Sequence, residues 1–133
     1  MEGLEVVLTL AGGAIVRVKT GSIFKGETLR GRSDIVAAVV PEGVTTIGDK
    51  AFYLCTSLAS VMIPVGVTTV GEYAFRGCTS LTSLTIPEGV TTIGESAFYK
   101  CTSLASMIIP EGVTTIGPSA FSRCTSLASV TIP

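Results

Sequence analysis

The chain has 133 residues, a formal net charge of −1, 47% hydrophobic residues and 14% charged residues. The charged fraction is below the value of about 25% for average soluble domains. Because the 10 acids and 9 bases nearly cancel, electrostatic attraction toward nucleic acid or an anionic membrane is weak. The sequence contains no histidine, which excludes Ser/His and Cys/His nucleophile pairs and imidazole metal ligands.

No segment is predicted to insert into a membrane. The longest uncharged run, residues 51–71, contains Pro64 and five Ser or Thr residues, which makes it a poor transmembrane helix. The chain begins with Met1 and the acidic Glu2. This start disfavours a secretory signal and favours the cell interior.

The first predicted element is a β-hairpin. Apolar and polar residues partly alternate in residues 5–10 and 15–19, on either side of Ala11-Gly12-Gly13. Alternation around a glycine-rich turn is typical of two antiparallel strands. We expect the hairpin to open an N-terminal cap that covers residues 1–40.

From Pro41 onward the sequence is periodic, and 14 of the 23 positions of the repeat are identical in four copies. The copies occupy residues 41–63, 64–86, 87–109 and 110–132. Stepping back one period from the first copy reaches apolar residues at Phe24, Leu29, Ile35 and Val40. We therefore predict a degenerate fifth copy inside the cap. A unit of this length cannot close its own core, so the copies must stack.

Each copy is predicted to end with a short strand. Leu84 and Ile86 are two residues apart, so both should face the core, whereas Ser83 and Thr85 should face outward. The next residue, Pro87, ends the strand because proline cannot donate to a sheet.

A second extended segment, residues 90–93, lies between two glycines. Near Glu95 we expect a short turn of helix that brings Ala97 and Phe98 to the core. The phenylalanine column of the four copies, which supplies half of the eight aromatic residues, is accordingly predicted to be core.

The string L-x-x-V-x-I-P-x-x-V-x-x-[IV]-G-x-x-A-F-x-x-C-x-x-L, from Leu58 to Leu81, resembles the BspA-like leucine-rich repeats. The resemblance covers residues 41–132 and, weakly, the preceding cap. It implies a right-handed solenoid with a parallel sheet on its concave side and short helical turns elsewhere. It also implies binding of a protein or ligand without catalysis. Because some members are surface adhesins, the resemblance also allows an extracellular location.

Four cysteines occupy one column of the repeat: Cys55, Cys78, Cys101 and Cys124. Stacked strands place such neighbours about 5 Å apart, which is inside disulfide range. A linear column does not converge tetrahedrally as zinc requires, so no metal site is predicted. We expect small buried thiols that bond the backbone weakly.

Paired threonines recur at 45–46, 68–69, 91–92 and 114–115. Regular threonine arrays on flat solenoids suggest ice binding as a minor hypothesis. Adjacent strand residues point to opposite faces, however, so the pairs do not form two ranks on one face. Ordinary β-branched residues on an exposed strand are the favoured interpretation.

The predicted concave face is small, neutral and partly apolar. It carries Ser60, Met62, Ser83, Thr85, Ser106, Ile108, Ser129 and Thr131. It offers no carboxylate pair or activated nucleophile, so we predict no catalytic residues and no cofactor. Exposed Met62 and Ile108 would suit burial against a protein partner.

A second candidate surface lies on the convex side, where the copies differ most. It includes Tyr53, Tyr73, Arg76 and Tyr99, and tyrosine and arginine are favoured interface residues. Drift of unconstrained positions after duplication predicts the same variation, so both interpretations stay open. Bases and acids interleave along the turns, and no nucleic-acid site is predicted.

The chain stops at Pro133, the first residue of a next copy. We therefore expect an uncapped last coil in which residues 129–132 form an unpaired strand edge, open to further chain or to another subunit. The sequence thus predicts a leucine-rich-repeat solenoid, with a cap in residues 1–40 and four repeats in 41–133. The predicted function is a non-catalytic protein-interaction or scaffold module, with a stalk or adhesin segment as the alternative.

Overall fold

Eleven strands and no helix are found in residues 3–25 and 29–133, which are the residues described by a computed structural model of the chain. The strands are β1 (Glu5–Leu10), β2 (Ile15–Lys19), β3 (Ile23–Phe24), β4 (Ile35–Val39), β5 (Thr46–Ile47), β6 (Ser60–Met62), β7 (Thr69–Val70), β8 (Thr92–Ile93), β9 (Ser106–Ile108), β10 (Thr115–Ile116) and β11 (Ser129–Thr131).

One sheet runs the whole length of the solenoid. Its order is β3, β5, β7, β8 and β10, all parallel, so the chain makes five coils. Thr46 pairs with Thr69, Thr69 with Thr92, and Thr92 with Thr115. The sheet register therefore equals one period of the sequence repeat.

The other side of each coil forms a sheet that is interrupted in the middle. β4 and β6 pair in parallel, as do β9 and β11, but residues 83–85 between them are not assigned to a strand. The hydrogen bond from the Thr82 amide to the Ala59 carbonyl is 3.4 Å long. The equivalent bond one coil earlier, from the Ala59 amide to the Val36 carbonyl, is 2.8 Å long. Leu84 nevertheless stays buried.

The N-terminal hairpin closes one edge of this interrupted sheet. β1 pairs antiparallel with both β2 and β4, so it lies between these two strands in the sheet. Val6 and Leu8 on β1 are fully buried. Arg17 and Lys19 are exposed on β2, the outer strand, where charges discourage further strand pairing.

The core is an axial stack of phenylalanine rings. Phe52, Phe75, Phe98 and Phe121 are nearly parallel, with neighbouring centroids 5.2–5.5 Å apart. Phe24 extends the stack by one tilted ring at 5.4 Å. One ring per coil fills the centre of the solenoid, as the phenylalanine column predicts.

The helical turn expected near Glu95 is wrong in its detail, because the structure has successive tight turns there instead. In the equivalent segment, Tyr53 donates its amide to the carbonyl of Lys50, three residues back. The intervening Phe52 donates to Ala74 of the next coil at 2.7 Å. A helix would direct every amide into its own turn, whereas this segment shares alternate amides with its neighbour.

Left-handed backbone makes that alternation possible. Lys50 and Leu54 have φ values of 60° and 57°, in a region that costs an ordinary residue about 1–2 kcal/mol. The same two positions are left-handed in later coils, at Tyr73 and Gly77. The inter-coil hydrogen bonds therefore hold non-glycine residues in strained backbone.

Neighbouring coils approach each other closely at a glycine column. A Cβ atom at Gly94 would lie 2.7 Å from the amide nitrogen of Glu72 in the preceding coil. At Gly117 it would lie 2.5 Å from the amide nitrogen of Glu95. Only glycine fits these positions without separating the coils.

Candidate interaction surfaces

The eight residues predicted for the concave face share the outer side of the interrupted sheet, which we call the sheet face. Its members in the repeats form two columns, all exposed: Ser60, Ser83, Ser106 and Ser129, beside Met62, Thr85, Ile108 and Thr131. Val61 and Met107, which alternate with them on β6 and β9, are buried.

Large apolar side chains stand out on the sheet face. Met62 and Ile108 are 67% and 69% exposed. Val39, 43% exposed, pairs with Met62 and continues the same column onto β4. The sequence prediction missed Val39, although stepping back one repeat from Met62 finds it.

The interruption at residues 83–85 leaves a shallow cleft on each side of that segment. The cleft toward β6 has a volume of about 220 Å³ and is lined by Met62 and Thr85 among others. The cleft toward β9 has a volume of about 280 Å³, and Ile108 and Glu88 contribute to its lining. Two indentations thus lie beside exposed apolar side chains.

The four residues predicted for the convex side come together on the turns. Arg76 lies over the rings of Tyr73 and Tyr99, at 5.5 and 4.5 Å from their centroids. Lys50 lies 5.8 Å from the ring centroids of both Tyr53 and Tyr73. Cation–π contacts of this kind stabilise by about 0.5–1 kcal/mol when exposed.

Two further cations extend the arrangement at both ends. Arg30 lies 4.9 Å from the ring centroid of Tyr53, and Arg123 lies 6.0 Å from that of Tyr99. The result is a continuous array that we call the Tyr–Arg stack. It consists of Arg30, Tyr53, Lys50, Tyr73, Arg76, Tyr99 and Arg123.

Sequence analysis missed the basic members of the stack other than Arg76. The signal is present, since stepping back one repeat from Tyr53 reaches Arg30. Using this signal requires aligning the degenerate copy at a polar position. That copy matches the other copies only at apolar positions, so the match gives no guidance there. Lys50 joins the stack because its backbone is left-handed, in a segment that the sequence predicted to be a turn of helix.

Two acidic side chains near the stack, Asp49 and Glu95, accept hydrogen bonds. An Asp49 carboxylate oxygen accepts the amide of Glu72 at 2.9 Å. Glu95 accepts the hydroxyl of Tyr73 at 3.1 Å, and this hydrogen bond raises the pKa of Tyr73. Among residues 3–25 and 29–133, the only ion pair is Arg32–Asp34 at 2.8 Å.

A mixed-charge cleft of about 520 Å³ lies beside the stack. Its charged lining residues are Lys25, Arg30, Asp49, Lys50 and Glu72, with Tyr73 alongside.

The cysteines are free and use their thiols internally. Cys78 donates to the carbonyl of Phe52 at 3.1 Å, and Cys101 donates to that of Phe75 at 3.2 Å. Cys55 and Cys124 make the corresponding bonds. Burial raises the pKa of Cys55 to about 11 and raises those of the other three. The thiols are therefore protonated at neutral pH, as the prediction of buried, backbone-bonded side chains requires.

In the described part of the chain, no group of three or more Cys, Asp or Glu side chains is arranged to hold a metal ion. The structure likewise has, within the residues it describes, no helix of the length and apolarity needed to cross a membrane.

The first threonine of each pair binds the backbone of the preceding coil. Thr68 donates to the carbonyl of Thr45, Thr91 to that of Thr68, and Thr114 to that of Thr91, each at 3.3 Å. The second threonine is half-buried at positions 46, 69 and 92. This use of the hydroxyls favours a structural role over ice binding.

The family profile for the BspA type leucine-rich repeat region matches residues 27–133 in six copies. The chain belongs to this family, and its fold is a leucine-rich-repeat solenoid. No curated protein matches the sequence.

Solved structures of bacterial leucine-rich repeat proteins resemble the chain closely. A leucine-rich repeat protein from Bacteroides ovatus is 34% identical, with a TM-score of 0.79, over 96% of this chain and 32% of its own length. The T. pallidum leucine-rich repeat protein is 34% identical, with a TM-score of 0.61, over 71% of this chain and 57% of its own. A leucine-rich cell surface protein from Faecalibacterium prausnitzii is 28% identical, with a TM-score of 0.64, over 96% and 38%. The chain thus spans between a third and just over half of these proteins.

Proposed function

We propose that the chain is a non-catalytic protein-interaction module whose sheet face binds a partner protein. The observation that carries the proposal is the column of the sheet face in which Val39 and Met62 are adjacent exposed apolar side chains and Ile108 follows beyond Thr85. Neighbouring exposed apolar groups on a soluble protein mark interaction sites, and apolar centres with polar surroundings are typical of protein interfaces.

The shape of the sheet face supports the same function. Small side chains, Ala37, Ser60 and Ser106, alternate with the large apolar ones and permit a partner to approach the backbone closely. The two clefts beside residues 83–85 offer indentations for side chains of a partner. Glu88 is the one carboxylate that lines either cleft, whereas acid–base catalysis commonly requires a paired group.

The test is a double substitution on the sheet face, Met62→Lys with Ile108→Lys. Both side chains are solvent-exposed, so the variant should fold with little change in stability. Proteins captured by the unmodified chain should be lost, because two charges would be buried at the interface. The measurement is quantitative capture on the immobilised chain, followed by mass spectrometry.

The matched control is Ile23→Lys with Val65→Lys, two exposed apolar residues away from the sheet face, with Ile23 on β3 of the other sheet. This control should retain the captured proteins. Equal retention by both variants would contradict the proposal and favour the alternative, a stalk or adhesin segment that displays other domains. The cell surface protein among the structural neighbours supports that alternative.

A second candidate site is the free edge of β11. Among the strands of residues 3–25 and 29–133, β11 pairs with β9 alone, and Val130 is 38% exposed. We propose that a strand from another subunit pairs with this edge. Substitution of Val130 or Thr131 by Pro removes a backbone donor and should reduce association, measured as solution mass by light scattering. Unchanged mass in both variants would contradict edge pairing.

A further inference from the structure

Basic residues of the repeats are confined to one side of the solenoid. All four bases of residues 41–133 lie on the turns: Lys50, Arg76, Lys100 and Arg123. The turns of residues 41–133 carry these four bases against three acids, Asp49, Glu72 and Glu95, although the whole chain has a net charge of −1. The remaining acids of the repeats follow the prolines, away from the turns. The turn side is thus the cationic face of an otherwise slightly acidic protein.

The aromatic rings fix the position of these cations. Arg76 contacts two tyrosine rings, and Arg30 and Arg123 each contact one. A guanidinium has five N–H donors in a planar fork that matches a carboxylate. Among the described residues, no carboxylate lies within ion-pairing distance of Arg76 or Arg123. The donors of these two guanidinium groups can therefore reach an external anion, and the tyrosine rings hold them in a defined row.

The same contacts decide which kind of anion fits. Each of Tyr53, Tyr73 and Tyr99 has two cations over its ring. Nucleic-acid bases bind to single-strand sites largely by stacking on open aromatic faces. Because these rings are already covered, recognition by charge and by hydrogen bonding is favoured over recognition by stacking.

The spacing of the cations points to a peptide. Neighbouring coils are about 4.8 Å apart, so Arg30 and Arg76, two coils apart in one column, are separated by about 10 Å. A peptide in the extended polyproline II conformation advances about 3.1 Å per residue with three residues per turn, so carboxylates on every third residue lie on one side of it, about 9 Å apart. We propose that the Tyr–Arg stack binds an extended acidic protein segment with carboxylates three residues apart. This surface is separate from the sheet face, and the two proposals can fail independently.

The experiment measures binding of a fluorescein-labelled peptide of Glu-Ser-Ser repeats to the full chain by fluorescence anisotropy at several salt concentrations. The test variant is Arg76→Gln with Arg123→Gln. The matched control is Arg17→Gln with Lys19→Gln, which removes the same charge from exposed positions on β2. We expect binding to weaken at least about tenfold in the test variant and less than about twofold in the control.

Two further comparisons test the guanidinium geometry and the spacing of the carboxylates. Arg76→Lys with Arg123→Lys keeps the charge but loses the planar fork, so it should weaken binding to an intermediate degree; it also serves if the glutamine variant unfolds. A peptide of the same composition with its glutamates contiguous should bind more weakly. The proposal is overturned if the unmodified chain does not bind, if both charge-removing variants weaken equally, or if the contiguous peptide binds as well. Tighter binding of single-stranded DNA or a sulfated oligosaccharide would likewise overturn the choice of a peptide.

Discussion

The third and fourth full copies have almost the same sequence but differ in burial. Phe98 and Leu104 of the third copy are fully buried, whereas Phe121 and Leu127 at the same positions of the fourth are only half-buried. Ile116 is 44% exposed, although its equivalent in the preceding coil is fully buried. Each coil is therefore buried by its neighbours and not by its own side chains, as expected of a one-dimensional stack.

The N-terminal end meets the same requirement with a different element. There the antiparallel strand β1 covers β4, so Leu8 and Ile35 are fully buried. The first coil therefore has a cover of non-repeat sequence, and the last described coil has an open flank. Identical substitutions in a central coil and in the last coil test whether each coil is buried by its neighbours.

The largest effect is expected from the ring stack. Phe75→Ala should lower the free energy of unfolding by about 3–5 kcal/mol, because the ring is fully buried between two others. Phe121→Ala should cost less than about half as much, since that ring has a neighbour on one side only. Denaturant unfolding measures both. Equal losses would show that the last coil is covered.

Per side chain, a smaller effect is expected at alkaline pH. Burial raises the pKa of Cys55 to about 11, so above the ordinary thiol pKa the unfolded chain loses its proton first. The unfolding free energy should therefore fall as pH rises from about 9 to about 11, with at most about 1.4 kcal/mol per pH unit from each buried thiol.

The thiol contribution is isolated by comparing Cys55→Ala with Cys124→Ala. Replacing the fully buried Cys55 should flatten the pH dependence more than replacing the half-buried Cys124. Denaturant unfolding across this pH range, with reductant present, provides the measurement. Identical profiles for the two variants would contradict the assigned difference in burial.

The smallest effect concerns the left-handed positions. Lys100 has φ of 61°, so Lys100→Gly should raise the unfolding free energy by about 0.5–1 kcal/mol after the entropic cost of glycine is deducted. Lys100→Ala removes the side chain but keeps the strain, and serves as control. The same glycine at Arg123, with φ of 62°, should add less to global stability because it relieves only the open last coil. A gain with Lys100→Ala as large as with glycine would exclude backbone strain as the cause.

Much of the fold was predictable because the repeat specifies it several times. A single segment such as residues 83–86 has too few apolar positions to define a register, but four aligned copies do. The alternation of buried Leu84 and Ile86 with exposed Ser83 and Thr85 follows the prediction. The interruption of the sheet at 83–85 was not predictable, because local sequence does not report inter-strand distances.

The turn and the Tyr–Arg stack illustrate the limit of sequence reasoning. Short segments with an alanine and a phenylalanine on one side favour a helical turn, and the inter-coil hydrogen bond from Phe52 to Ala74 overrides that preference. The resulting left-handed Lys50 places its amine between Tyr53 and Tyr73. Such a contact depends on backbone geometry that column arithmetic alone does not contain.

The most direct test of burial by neighbouring coils is the rate at which each cysteine of the native chain reacts with a thiol reagent near neutral pH, followed by peptide mass spectrometry. All four thiols have the same chemistry and the same kind of backbone bond, and they differ in what covers them. We expect Cys124 to react at least about tenfold faster than Cys55, Cys78 and Cys101, which require opening of the coils. Equal rates for all four, or protection of Cys124 to the level of Cys101, would contradict an open last coil.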